Sequence, residues 1–125
     1  MTKAAAYQAF WESFGLAAFE ENSVPDGEFA PDYPYITYEF MADSLGSEVM
    51  LSASLWYRST AWTEANDKAN EIGAAIGRGG VIISCDGGGV WIKRGSPFAQ
   101  SMGDERDDMI KRKLLNITAE YLTAD

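Results

Sequence analysis

The sequence predicts an α/β (α+β) domain, with a mixed or antiparallel sheet of about four to five strands packed by two helices, in the order α-β-β-α-β-β-β. Three observations carry this expectation. An aromatic stripe at helical spacing opens the chain, and a second helical stripe lies between two groups of strand-like segments. Between Val81 and Phe98, VIISCDGGGVWIKRGSPF, two runs alternate with a period of two around an Asp-Gly-Gly-Gly loop.

Residues 4–20, AAAYQAFWESFGLAAFE, set Tyr7, Phe10, Trp11, Phe14 and Ala18 at helical spacing, so one amphipathic helix packed on the sheet is expected over the whole segment. Residues 21–34 contain Pro25, Pro31, Pro34 and Gly27 among acidic side chains, which reads as a loop. Tyr35–Met41 is rich in strand-favouring residues, and residues 43–47 read as a turn. In the next strand, Val49–Arg58, the residues Val49, Leu51, Ala53, Leu55 and Tyr57 share one face while Trp56 and Arg58 share the other. The short turn between these strands predicts an antiparallel hairpin.

Thr63 is the expected N-cap of a helix running to about Ile76, with Ala65, Ala69, Ile72 and Ile76 on one stripe and Gly77, Gly79 and Gly80 at its end. The glycine hairpin follows, and Ser96-Pro97 is expected to break its second strand. A polar stretch over 103–108 leads into MIKRKLLNITAEYLT, which fits both a strand and a helix. Its weak helix formers Asn116, Ile117 and Thr118 favour a strand from about Arg112.

At 125 residues the chain reads as a single domain, long enough to bury roughly two-thirds of its unfolded surface. A 46% apolar and 13% aromatic content argues for a packed core rather than disorder. The formal net charge of −9 speaks against binding driven by phosphate neutralisation, so no sequence-specific nucleic-acid partner is expected. No apolar run approaches the ~18–20 residues that span a bilayer, and no signal-peptide pattern opens the chain, so no membrane partner is expected either. Histidine is absent, which removes the commonest general acid/base and transition-metal ligand. Cys85 is the single cysteine and reads as a small buried hydrophobe in a reducing compartment.

The chemical-looking motifs are weak in this context. Arg78-Gly79-Gly80 follows a helix and Asp86–Gly89 sits between strands, whereas a phosphate loop leads into a helix N-terminus. Asp104, Glu105, Asp107 and Asp108 lack the spacing of a calcium loop and have Arg106 in their midst. Pairs drawn from Glu20, Glu21, Asp26 and Glu28 carry little signal in so acidic a chain. No catalytic residue, cofactor or metal is expected. The aromatic residues Trp56, Trp62, Trp91 and Phe98 are more informative: Trp56 and Trp91 fall on the sheet face opposite the aliphatic one, as at a partner interface, unless a second helix covers that face.

WYRSTAW over 56–62 leading into a helix, GGVIISCDGGGVWIKRGSPF over 79–98, and the terminal LNITAEY together resemble the tail-terminator (tail-completion) family of long-tailed bacteriophages and prophages. The resemblance runs from about Tyr33 onward. It implies a non-catalytic virion subunit, assembled in the bacterial cytoplasm, that forms a ring with copies of itself, usually a hexamer. Such a ring caps the tail tube, stops the major tail tube protein from polymerising and receives the head–tail connector. The family has no strict motif, so no residue role is carried over. A ring joins two different patches of the same subunit. Acidic segments 20–32 and 104–108 are candidates for one patch, and Arg58, Lys93, Arg94, Lys111, Arg112 and Lys113 for the other. The expected interface set is therefore Arg58, Trp56, Trp62, Trp91, Lys93, Arg94 and Phe98. Alternatives are a head-closure or other neck or minor tail protein, a non-catalytic protein-binding module and, last, a small carboxylate enzyme.

Overall fold

Thr2 starts the first helix, α1 (Lys3–Glu12): its hydroxyl accepts the Ala5 N–H at 3.1 Å. The helix does not run to residue 20 as its apolar spacing suggests. Gly15 takes φ 83°, a left-handed conformation costly for any residue with a Cβ, and the chain turns out of the helix there. Tyr7, Phe10, Trp11 and Phe14 still enter the core, but Ala18 does so from a strand, β1 (Ala17–Glu20). This strand was hidden because the apolar period continues across the turn. The computed structural model describes residues 1–43 and 45–124.

The loop to β2 (Tyr35–Tyr38) contains a short 3₁₀ turn at Gly27–Phe29. β3 (Glu48–Arg58) returns antiparallel to β2, as expected. The turn expected over residues 43–47 includes Ser44, which lies outside the described residues. In α2 (Thr63–Ile76), the N-cap is Trp62 rather than Thr63, and no side chain closes the cap; the helix ends at Gly77 as anticipated. β4 (Val81–Cys85), β5 (Gly88–Gly103) and β6 (Ile110–Thr123) complete the chain.

Together these strands form one six-stranded sheet in the order β1-β2-β3-β6-β5-β4, so the expected four to five strands and the α-β-β-α-β-β-β order each lacked β1. Among the described residues only β1 and β2 pair in parallel; the remaining pairs are antiparallel. Pro97 does not end β5. Residues 95–98 bulge out opposite Asn116, whose side-chain amide donates to the Pro97 carbonyl at 3.0 Å, and pairing resumes from Ala99 to Gly103. The hairpin glycines have separate duties. Gly88 lies at φ 151°, and a Cβ there would sit 1.9 Å from the Leu122 carbonyl oxygen of β6.

α2 lies over β3, β5 and β6, while α1 touches both edge strands, β1 and β4. The sheet therefore curls around the helices and a single core. Ile36, Leu55, Ile72, Ile92, Leu115 and Ile117 are almost fully buried in it, each worth roughly 1.5–3 kcal/mol relative to exposure. Among the described residues no helix is long and apolar enough to cross a membrane.

Candidate functional site

Strand alternation divides the sheet into two unlike faces. Residues Leu51, Ala53, Leu55 and Tyr57 of β3, and Leu115, Ile117, Ala119 and Tyr121 of β6, point to the helices. Both helices pack on that side, so no helix covers the opposite face among the described residues.

The open face carries a transverse row of side chains. Trp56 of β3 stands opposite Tyr35 of β2 on one side and Arg112 of β6 on the other, and Arg112 stands opposite Met102 of β5. The Tyr35 and Trp56 rings stack with centroids 6.2 Å apart and planes 16° from parallel. The Arg112 guanidinium lies over Trp56, 4.9 Å from the ring centroid. Phe19 meets the edge of Tyr35 at 6.4 Å, and Tyr33 approaches it at 5.4 Å.

Hydrogen bonds hold this row in place. The Trp56 indole N–H donates to Thr37 Oγ1 at 2.8 Å, and Arg112 Nε donates to Ser54 Oγ at 2.9 Å. Partial burial pushes the Tyr35 phenol above its ordinary range, with Tyr33 adding to the effect. Arg112 has no carboxylate within ion-pair distance among the described residues. Its guanidinium is thus oriented by a ring and a hydroxyl, and only its Nε is bonded.

A second cluster lies lower on the same face. Lys93 sits 4.0 Å from the Trp91 ring centroid and bridges Glu120 at 3.1 Å and Glu48 at 3.4 Å. The Glu120 hydrogen bond is the main reason the Lys93 ammonium is held above its ordinary range, with Glu48 also contributing. The Trp91 indole N–H donates to the Gly79 carbonyl at 2.7 Å.

The sequence-derived interface residues divide accordingly. Trp56 and Trp91 share the open face, with Lys93 between two carboxylates beside Trp91. Arg58 lies at the exposed end of β3, ion-paired to Asp107, whose carboxyl this pairing and the Met109 N–H hold below the usual range. Arg94 is exposed at the last paired position before the bulge. Trp62 and Phe98 lie elsewhere: Trp62 packs on the core side at the start of α2, near Lys111 and Lys113, and Phe98 packs against Gly73 of α2. Tyr35 and the placement of Arg112 escaped the sequence reading. Alternation puts Tyr35 and Trp56 each on a face, but only the β2–β3 and β3–β6 registers make them neighbours.

Other regions offer little chemistry. Asp104 accepts the Arg106 N–H at 2.8 Å, and among the described residues no group of acidic or cysteine side chains is arranged to hold a metal ion. A recess of about 370 Å³ beside the start of α1 is lined by Thr2, Lys3, Ala4, Phe40, Ala42 and Asp86. There the Lys3 ammonium donates to the Asp43 carbonyl, and Asp86 accepts from the Met1 amino group.

No family model matches the chain, and no curated protein matches it in sequence. Among solved structures, the fold is similar to that of a chain from the virion of a native gene transfer agent particle, with a TM-score of 0.58 and 20% identity over 94% of this chain and 92% of that one. The likeness is one of fold, and it extends over nearly the whole of both chains.

Proposed function

We propose that this protein is a structural subunit of a phage-like virion, acting as a tail terminator. Copies close into a ring at the end of the tail tube.

 The ring stops the tube from growing and presents the surface to which the head–tail connector attaches. The observation that supports this most is the near full-length fold likeness to a virion chain. The open sheet face fits the same reading: a subunit that works by contact needs ordered apolar and cationic surface outside its core, and the Tyr35–Trp56–Arg112 row supplies it.

The test is genetic and visual. In a phage or phage-like element that encodes the chain, the gene is deleted and the lysate imaged by negative-stain electron microscopy, with purified wild-type particles analysed by mass spectrometry. Tails of irregular length and unjoined heads, both repaired when the gene is supplied in trans, are the expected outcome. Tails of uniform length joined to heads, or wild-type particles free of the protein, would overturn the reading.

A further inference from the structure

The charges of this chain are unevenly spread. Between Lys3 and Arg58 there is no lysine or arginine, while the same stretch carries nine acidic residues. The loop between β1 and β2 lies within it, and its 3₁₀ turn holds Phe29 out into solvent at 75% exposure. Asp26, Glu28 and Asp32 surround Phe29 in sequence, and none of them makes an ion pair with the described residues. An exposed aromatic ring flanked by carboxylates that form no ion pair among the described residues is a strong contact element.

The Tyr35–Trp56–Arg112 row has the complementary chemistry. It offers aromatic faces beside a guanidinium that has no carboxylate partner among the described residues, with Met102 next along the row. The other cations of this face differ: Arg58 is paired to Asp107, and Lys93 to Glu48 and Glu120. We infer that the Phe29 loop of one copy docks on the Tyr35–Trp56–Arg112 row of a second copy, with Phe29 against the apolar part of the row and a loop carboxylate on Arg112. A guanidinium already oriented by Trp56 and Ser54 loses little freedom when it takes a carboxylate. The inference rests on the ring-subunit reading only in choosing a second copy as the occupant.

Sedimentation velocity of the full chain, followed up to roughly 1 mM at low and high salt, tests it. The expected result is self-association that weakens with salt and becomes at least about tenfold weaker in both Arg112→Glu and Phe29→Ala. Phe29 is exposed, so its variant reports on contact without touching the core. Mixing Arg112→Glu with Glu28→Arg is expected to restore association between the two variants. A wild-type chain that stays monomeric throughout, or association indifferent to both substitutions, overturns the inference. Because deletion of the gene is scored separately in particles, tail defects alongside a monomeric wild-type chain would sink this contact and leave the virion role standing.

Discussion

Two aromatic clusters flank the same short strand, β2, and they are built differently. Inside, Tyr7, Phe10, Trp11, Phe14 and Tyr38 meet mostly edge to face, packed among aliphatic side chains. Outside, Tyr35 and Trp56 stack nearly flat and Arg112 covers the end of the stack. Among the described residues, the Tyr7 hydroxyl and the Trp11 indole N–H of the inner cluster are buried with no well-formed hydrogen bond, although the two approach each other, whereas the outer Trp56 N–H is bonded to Thr37. Burial outweighs an unmet polar atom in the first case; in the second, orientation is maintained where burial is incomplete. The inner cluster therefore acts through folding, and the outer one through the surface it presents.

Substitutions separate these roles. Trp11→Ala opens a large cavity at a side chain with no exposed surface, and chemical denaturation should show a loss of about 3–5 kcal/mol. Trp56→Ala removes a cross-strand stack and a cation–π contact on the open face, so the same measurement should show only about 1–2 kcal/mol. A loss for Trp56→Ala as large as that for Trp11→Ala would erase the distinction between the clusters. Tyr7→Phe removes a buried hydroxyl with no well-formed hydrogen bond among the described residues, and stability should stay unchanged or rise by up to about 1 kcal/mol.

The smallest effect concerns the charged end of the open face. Arg58 and the Met109 N–H favour the ionised form of Asp107, so its contribution to stability is present above the ordinary aspartate range and fades as pH falls through its depressed value. Thermal unfolding should therefore place Asp107→Asn slightly below wild type at about pH 7, with the gap closing as the pH falls below the ordinary aspartate range. A gap that persists in acid would assign the effect to packing instead.

Much of this arrangement can be read from the amino-acid order. Period-two alternation correctly puts Trp56 and Trp91 on the face opposite the aliphatic one, and the α2 stripe and the β4–β5 hairpin follow from local pattern. The early end of α1 does not, because a single glycine overrides an apolar spacing that continues to Ala18. Nor does the continuation of β5, because Pro97 lies in a bulge where no ladder hydrogen bond is asked of it. The Arg112 contact is the hardest to foresee. Arg112 lies 56 positions from Trp56, and their meeting depends on a register that no local signal specifies.

The position of β6 has a consequence for how the molecule can be cut and how it folds. The last strand in the described sequence lies between β3 and β5, so the sheet is two separate pieces until that strand is inserted. Removing residues after Met109 would take out the centre of the sheet, not its margin. Most of the cross-strand pairs involve β6 and cannot form before it is present, which favours slow, cooperative folding over stepwise growth from the N-terminus.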